Sequence, residues 1–401
     1  MKRRYNNVAI TIFAFLTFSC IGTAKGQHGE FNFRQPAIFD MDRLAEIRTR
    51  GTEAPEVLQL IKKADQMVAE KPVSVLDRKK TLAPDKHFYC GISRYSWPSD
   101  TDPQVYVIKD GKSNPEWKDY NRPQLQKLAD RLKYLSVAYY ITRDLKYFDA
   151  FNKQVDVWFL DEDTYMYPNL EYSQVQLGKY GNKGAPFGLA DISYFTPIIE
   201  SMFLVNTVKQ ADVDRRKNMK KWFSDFSDWV VSDKRWGKIK KSSNNIVSTV
   251  YVSLIEIARF TDNASLAERL SEEYTKNVLD TQIDEVGKQP AELRRASGFG
   301  YSVGNLSHII DFCLIMELSG MHYYKENQRK IDSAFEYLIQ FLGNKEAFPY
   351  KQNGGWERYE KKLENNISRI KRLASKRSSV TRMARRMINT QESIMDYVYY
   401  N

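Results

Sequence analysis

Apolar residues recur at helical spacing along most of this chain, in segments separated by polar loops that contain glycine and proline. Strand-like alternation is scarce. The pattern predicts helices over residues 42–70, 121–142, 144–159, 191–208, 213–232, 244–260, 263–278, 301–319, 325–343 and 356–373. Consecutive helices joined by short turns indicate an all-α fold of helical hairpins, arranged in a bundle or in a closed or partly closed toroid.

Two of these helices are apolar on most faces and carry one narrow polar seam. In the helix predicted over residues 244–260, the seam has positions i, i+4, i+8 and i+11, which are Asn245, Thr249, Ser253 and Glu256. In the helix predicted over residues 301–319, the seam consists of Tyr301, Asn305 and His308. This design predicts inner helices whose polar seams face one groove. For His308 alone, a hydrogen-bonded place in the core is the competing interpretation.

Two long stretches without helical periodicity cover residues 71–120 and 161–190. Loops of this length are seldom idle in a compact domain. They are rich in aromatic rings beside amides, which is the usual means of holding sugar rings, although the same side chains could instead pack the loops onto the helices. The candidate sugar contacts are His87, Tyr89, Trp97, Asn169, Tyr172 and Gln174.

The N-terminus has the pattern of a secretory signal peptide over residues 1–26. Three basic residues precede an apolar run of 11 residues, 8–18, and small and polar residues follow it. The run is too short for a typical membrane span, so we expect an exported protein, periplasmic or secreted, without an integral span. Cleavage near Gln27 would release it, whereas lipidation of Cys20 would anchor it to the outer membrane.

The net charge of +11 is concentrated in two segments. Residues 1–26 carry four basic residues and no acidic ones, and residues 357–386 carry eleven basic residues against three glutamates. The remainder is close to neutral, so the charge is no evidence for a nucleic-acid partner. We therefore predict a main domain over residues 27–356 and a basic helical extension over residues 357–401. Nothing in the sequence indicates an oligomeric state.

The loop after Gly287 places Arg295 six residues before Tyr301, at the start of a helix. An arginine can neutralise a substrate carboxylate, and a tyrosine can move a proton beside it. The reaction that needs both is β-elimination from a uronic acid. No histidine, cysteine or aspartate spacing is typical of a transition-metal site, so no metal or other cofactor is expected.

Several motifs occur through most of the chain after the predicted signal peptide in a distinctive order and spacing. They are His87-Phe88-Tyr89, Tyr95-Ser96-Trp97-Pro98, Asp110-Gly111-Lys112-Ser113-Asn114-Pro115-Glu116, Trp158-Phe159-Leu160, Pro168-Asn169-Leu170-Glu171-Tyr172-Ser173-Gln174, Asn244-Asn245, and Gln289-Pro290-Ala291-Glu292-Leu293-Arg294-Arg295 with Tyr301-Ser302. Together they resemble the alginate lyase family of polysaccharide lyases, in particular its Bacteroidetes-type members. The resemblance implies an incomplete (α/α) toroid with a long cleft. It also implies eliminative cleavage of a uronate-containing polysaccharide such as alginate, with an acidic polysaccharide or oligosaccharide as the ligand.

The resemblance also implies roles for single residues. Asn245 matches the family asparagine that contacts the substrate carboxylate, Arg295 matches its arginine, and Tyr301 matches its catalytic tyrosine. Asn244 and Arg294 are neighbouring candidates for substrate binding. Because the register of the loop is open, Arg294 could be the true equivalent of the family arginine.

One departure from the family pattern bears directly on the chemistry. The family's double asparagine is usually followed by histidine, and here the next residue is Ile246. Three hypotheses follow: Tyr301 acts as both base and acid, His308 or His87 supplies an imidazole, or catalysis is lost and a polysaccharide-binding accessory protein remains. A glycoside hydrolase on a helical toroid is a further alternative. It would use two carboxylates, for which the acidic candidates are Asp161, Glu162, Asp163 and Glu171.

Overall fold

The computed structural model describes residues 34–375, 378, 380–381, 395 and 398–399. The predicted signal peptide and Cys20 lie outside the described residues, as does most of the chain beyond residue 375. The α-helices are α1 Met41–Thr49, α2 Pro55–Ala69, α3 Arg122–Thr142, α4 Leu145–Val155, α5 Phe195–Asn206, α6 Val213–Ser232, α7 Lys234–Ile239, α8 Asn245–Phe260, α9 Ala264–Tyr274, α10 Asp280–Gln282, α11 Pro290–Leu293, α12 Gly298–Leu318, α13 Tyr323–Glu326, α14 Gln328–Ile339 and α15 Trp356–Ile370.

These helices form two layers. Helices α3, α5, α8 and α12 pack against one another in succession as the inner layer. Helix α4 covers α3, helices α6 and α9 cover α8, and α15 packs against α12. The architecture is an incomplete (α/α) toroid, as expected. Helix α15 carries the first part of the predicted basic extension, and the boundary at residue 357 stays a prediction.

Local sequence signals explain where many helices begin. A short polar side chain at the residue before the helix accepts a hydrogen bond from a backbone N–H of the first turn. Helices α2 and α11 instead begin with proline, whose missing N–H costs nothing at that position. The capping residues are Asp40, Asp144, Asp212, Asn244 and Asn263.

Most of the predicted helices agree with the structure. The helix predicted over 325–343 is divided at Asn327 into α13 and α14, and the one predicted over 191–208 is 3₁₀ as far as Tyr194. The single helix predicted over 42–70 is two helices, because Gly51 adopts a left-handed φ of 83° and Pro55 starts a new one. The helices predicted over 144–159 and 263–278 end in π-helical turns, Asp156–Leu160 and Thr275–Leu279. Helix α7 was not predicted, since six residues are too few to show a period.

The polar seam predicted on α8 is only partly correct. Its deeper members differ. Glu256 is fully buried and forms an ion pair with Arg259. Ser253 lines a cavity of about 320 Å³ together with His308 of the second seam, and its hydroxyl lies 3.0 Å from that of Thr196. Burial raises the pKa of Glu256 well above its ordinary value, and Arg259 opposes this. The reason is that α8 lies in the centre of the fold, so polar residues far from its N-terminus pair with one another and with helix α5.

One described segment, Pro186–Asn206, is long and apolar enough to cross a membrane by length and composition. Within the structure, 78% of its apolar window is buried. It comprises a 3₁₀ segment, Pro186–Tyr194, and helix α5 of the inner layer. This burial is typical of a core helix in a globular body.

The two long loops contain the four short strands of the described residues, β1 Cys90–Ile92, β2 Ser96–Pro98, β3 Tyr106–Ile108 and β4 Tyr172–Val175. Strand β1 pairs with β4 in parallel, and β2 pairs with β3 in antiparallel fashion. The β1–β4 pairing joins the first loop to the second. A small apolar cluster forms beneath them, made of Cys90, Ile92, Tyr106 and Tyr120. The loops are therefore packed structures, and the first of them places Tyr95 and Asp110 against the segment at the start of α12.

Candidate active site

Arg295 and Tyr301 are in direct contact. Tyr301 lies in the first turn of α12, and Arg295 lies in the turn between α11 and α12. The Arg295 Cζ is 3.9 Å from the centroid of the Tyr301 ring, and its Nε and Nη2 donate to the two carboxylate oxygens of Asp110 at 3.1 and 3.0 Å. A cation stacked on a ring and held by a bidentate carboxylate is fixed in position. Arg294 is exposed, so the geometry favours Arg295 as the family arginine.

Asp110 reaches this site from the loop over residues 71–120. Besides Arg295, it accepts a hydrogen bond from the Ala296 backbone N–H at 3.2 Å. The next residue, Gly111, has a φ of 75°, and a Cβ there would lie 2.8 Å from the Cβ of Ala296. Only glycine fits such a close approach with this backbone conformation. The loop is thus clamped onto the Arg295 segment.

The hydroxyl of Tyr301 donates a hydrogen bond to the hydroxyl of Tyr95 at 3.2 Å. Burial raises the pKa of Tyr301 above its ordinary value, the hydrogen bond to Tyr95 adds to this, and Arg295 opposes it. The charge of Arg295 eases deprotonation of Tyr301, but burial outweighs it. In this state Tyr301 is a phenol and can donate a proton.

The two adjacent asparagines at the start of α8 have different surroundings. Asn244 is the N-cap residue, and its Oδ1 accepts from the Ile246 N–H at 3.0 Å, which gives it a structural role. Asn245 donates its backbone N–H to Glu292 Oε1 at 2.6 Å. Its side-chain Oδ1 is buried without a hydrogen-bond partner among the described residues. The amide nitrogen of Asn245 is therefore the end that can reach a ligand.

Glu292 connects Asn245 to Arg295 and was not singled out by the sequence analysis. It is almost fully buried one turn before Arg295, and the Arg295 N–H donates to its backbone carbonyl at 3.0 Å. Burial raises the pKa of Glu292 to about 7, while the Asn245 N–H and Arg295 lower it. The only signal in the sequence was its place in the Pro-Ala-Glu-Leu motif.

The position of the family histidine is occupied by Ile246, and His308 does not take over its role beside Tyr301. Ile246 is half-buried and packs against the main core. His308 is two helical turns beyond Tyr301, about 10 Å along the axis, and lines a separate cavity of about 320 Å³ with Asp311 and Lys362. Burial lowers the pKa of His308 to about 4, so its ring is neutral. His308, with its side chain 27% exposed, therefore faces a cavity away from Tyr301 and carries a neutral ring there.

His87, the other histidine considered as a source of imidazole, is buried in the second long loop's aromatic packing. Its Nδ1 is 2.6 Å from the carbonyl oxygen of Tyr165, and its ring packs beside those of Tyr165 and Tyr167. These contacts account for His87 as a packing residue.

Two predicted sugar contacts, Tyr89 and Gln174, and Asn305 of the polar seam on α12 are buried, which is contrary to their predicted places along a groove. Tyr89 is 0% exposed and donates to Asp191 at 2.9 Å, and the Gln174 amide donates to the same carboxylate at 2.7 Å. Asn305 is also 0% exposed and bonds to Ser248, Gln282 and Gln289. Their polar groups serve buried networks that hold the loops and α12, because residue type does not distinguish an interior network from a groove.

The remaining sugar candidates lie in the two long loops and are partly accessible to solvent. Trp97 donates its indole N–H to the Lys112 carbonyl at 2.9 Å, and Asn169 Oδ1 accepts from the Glu171 N–H at 3.1 Å. The Tyr172 ring packs edge-on against Phe88, with centroids 5.1 Å apart. These three residues stay candidates for binding.

The acidic residues considered for hydrolysis form no catalytic pair. Asp161, Glu162 and Asp163 are exposed on a turn, where the Asp161 side chain accepts from the Asp163 N–H at 3.0 Å. Glu171 pairs with Lys183 on the surface. Among the described residues there is also no group of three or more His, Cys, Asp or Glu side chains arranged to hold a metal ion.

Comparison with known proteins gives a family match and structural relatives. The alginate lyase family model matches residues 75–348. A crystal structure of an alginate lyase from Bacteroides ovatus is 29% identical with a TM-score of 0.84, over 91% of this chain and 98% of that one. Alginate lyase A1-III from Sphingomonas species A1 is 13% identical with a TM-score of 0.54, over 84% and 90% of the two chains. A variant of A1-III complexed with tetrasaccharide is 15% identical with a TM-score of 0.57, over 88% and 92%. No curated protein matches the sequence.

Proposed function

The chain belongs to the alginate lyase family and is a polysaccharide lyase, and we propose that it cleaves alginate or a similar uronate polymer at Tyr301, Arg295 and Asn245. The observation that carries the proposal is the Arg295 guanidinium, stacked at 3.9 Å on the Tyr301 ring. Asn245 adjoins this pair through Glu292. An acidic polysaccharide or oligosaccharide is the ligand, and the tetrasaccharide complex of the A1-III variant supports this choice.

The reaction places charge on a carboxylate, and the site has donors for it. Abstracting the proton at C5 of a uronate delocalises charge into the C6 carboxylate, so donors fixed at that position lower the barrier. Asp110 occupies Nε and Nη2 of Arg295, which leaves Nη1 for a substrate oxygen. The Asn245 amide nitrogen supplies a second donor.

Tyr301 carries the proton chemistry in this proposal. As a phenol it can protonate the glycosidic oxygen that leaves from C4. To act as the base it must first lose its proton, and each pH unit by which its pKa exceeds the working pH costs about 1.4 kcal/mol. The Arg295 guanidinium lowers this cost, because its charge lies directly over the ring.

The proposal is tested by incubating the purified protein with alginate, its mannuronate-rich and guluronate-rich fractions, and glucuronan. Elimination gives a 4,5-unsaturated uronate, which we expect to raise the ultraviolet absorbance on at least one polymer. Binding without any rise in absorbance would favour the non-catalytic accessory protein, for which Ile246 in the position of the family histidine is the supporting observation. Saturated reducing ends would indicate a hydrolase.

The N-terminal pattern leads to a proposal about location. Residues 1–26 direct export, so the enzyme acts in the periplasm, outside the cell, or anchored at the outer membrane through Cys20. Mass spectrometry of the mature N-terminus after expression in a Gram-negative host distinguishes the anchored from the released form, since lipidation modifies Cys20 and cleavage near Gln27 gives an unmodified N-terminus. A retained leader would contradict export.

A further inference from the structure

Two buried acceptor atoms without partners lie on residues that are already joined by a hydrogen bond. Asn245 donates its backbone N–H to Glu292 Oε1 at 2.6 Å. The side-chain Oδ1 of Asn245 and the Oε2 of Glu292 are both buried, and neither has a hydrogen-bond partner among the described residues. A buried acceptor that finds no donor is unfavourable, and two on one contact call for an explanation.

A single proton shared between these two acceptors would satisfy both atoms. We propose that Glu292 is a positioning residue, whose carboxyl, protonated on Oε2, donates to Asn245 Oδ1 and so turns the Asn245 Nδ2 toward the substrate carboxylate. Oε1 continues to accept the Asn245 N–H. The inference rests on the proposed function, because it assigns to Glu292 the orientation of a group that binds the substrate.

The surroundings of Glu292 keep that proton in place. The groups that act on the carboxyl are the Asn245 N–H and Arg295, which favour ionisation, and Asp110, which opposes it. Arg295 gives two of its donors to Asp110, so its charge is largely committed there. Burial is the strongest influence, and the pKa of Glu292 is raised to about 7. The neutral carboxyl is therefore the main form below neutral pH.

Ionisation of Glu292 reverses the hydrogen bond. A charged Oε2 accepts from the amide nitrogen of Asn245, the amide turns over, and its oxygen then faces the substrate. Two oxygens with partial or full negative charge repel, so binding of the uronate in the productive position is lost. Elimination falls as the pH rises past the pKa of Glu292. Deprotonation of Tyr301 has the opposite trend, because a base becomes more available at higher pH.

The test compares Glu292→Gln, Glu292→Ala and the parent enzyme between pH 5.5 and 8.5. Glutamine reproduces the neutral carboxyl: Oε1 accepts and Nε2 donates. At pH 6 we expect Glu292→Gln to keep kcat/KM within about threefold of the parent and Glu292→Ala to lose about tenfold or more, as for a lost hydrogen bond between polar groups. Above pH 7 the parent should fall by about tenfold per pH unit relative to Glu292→Gln.

Two kinetic outcomes overturn the inference. One is a Glu292→Gln enzyme as impaired as Glu292→Ala at pH 6, and the other is a Glu292→Gln pH profile that coincides with the parent's. Glu162→Gln, in the exposed acidic turn, is the matched control and should keep the parent's profile. A purely structural role for Glu292 would lower activity or stability without changing the shape of the profile.

Thermal unfolding without substrate separates this inference from the proposed function. The pKa of Glu292 is raised in the folded state, so its contribution to stability is present at low pH and is lost as the pH rises toward 7. The Tm of Glu292→Gln relative to the parent should therefore increase from pH 5 to pH 7.5 and then level off. This result without elimination on any polymer would refute only the function. A Tm difference independent of pH would refute the protonated Glu292.

Discussion

Two arginine–carboxylate clusters lie near the two ends of helix α8 and differ in how fully their donors are used. Near its C-terminal end, Arg259 is 0% exposed, pairs with Glu256 and lies 3.7 Å from Glu200. Glu200 in turn accepts the backbone N–H of Ala37 and of Ile38, both at 2.8 Å. Near its N-terminal end, the Arg295 side chain is 29% exposed and gives two donors to Asp110.

The difference separates a structural cluster from a chemical one. The Arg259 cluster ties the chain before α1 to the inner helices and has no opening for a ligand. The Arg295 cluster has a cation stacked on Tyr301, an Nη1 not used by Asp110, and an asparagine, Asn245, that is joined to it through Glu292. Substitutions in the first cluster should therefore alter folding, and substitutions in the second should alter turnover.

The largest effect is expected for Tyr301→Phe. Losing the phenol removes the proton donor and base together, so kcat should fall by about 10⁴, the upper end of the range for general acid–base catalysis. Initial rates of ultraviolet absorbance on the preferred polymer measure the loss, and calorimetry with an oligosaccharide should show binding close to that of the parent. Tyr180→Phe, on an exposed tyrosine, is the control. An active Tyr301→Phe enzyme would remove Tyr301 from the mechanism.

Arg259→Ala should have a large effect on stability. Removing the cation leaves the carboxylates of Glu256 and Glu200 buried without their counter-charge, which costs about 3–5 kcal/mol in the free energy of unfolding. Urea unfolding followed by circular dichroism measures this. The folded fraction should keep a kcat close to that of the parent. A loss of kcat without a loss of stability would contradict the division between the two clusters.

Arg295→Ala should lower kcat/KM by about 10²–10³, the effect of removing one group that stabilises the developing oxyanion. The neighbouring Arg294→Ala is the matched control, because Arg294 is exposed, and we expect a change of less than about threefold for a surface charge. Steady-state kinetics on the preferred polymer measure both. If Arg294→Ala proved the more damaging substitution, the register of this loop would have to be reversed.

The helices and the Arg295–Tyr301 pair could be predicted because their signals are local. Helical periodicity gave α3, α6, α8 and α12 to within a few residues, since a buried stripe repeats every three to four positions. The motif spacing placed Arg295 before Tyr301 at a helix start. Within a short segment, the sequence order largely determines which side chains are neighbours.

The rest of the site depends on contacts that sequence order does not reveal. Asp110 meets Arg295 across 185 positions, and Tyr95 meets Tyr301 across 206. Predicting either contact requires knowledge of the path of the long loop over residues 71–120. Burial was also not predictable from the sequence. Tyr89 and Asn305 have residue types that suit a sugar groove, yet their hydrogen-bond partners are interior. A polar residue on an inner helix indicates only that a partner exists, not whether that partner is a substrate.

The smallest effect is expected for Ile246→His, and it tests which residue moves the proton. The substitution restores the family residue at a half-buried position that packs against the core. If Tyr301 acts as both base and acid, an added imidazole supplies no missing step, so kcat should change by less than about threefold, against the 10²–10⁴ expected of a new general base. Stability should fall by about 1 kcal/mol as an apolar contact is lost. Kinetics across pH 5.5–8.5 and urea unfolding measure both. A rise in kcat of a hundredfold, with a new pH limb near the ordinary pKa of histidine, would show that Tyr301 alone is an incomplete catalyst and that this chain has given up part of the family's proton chemistry.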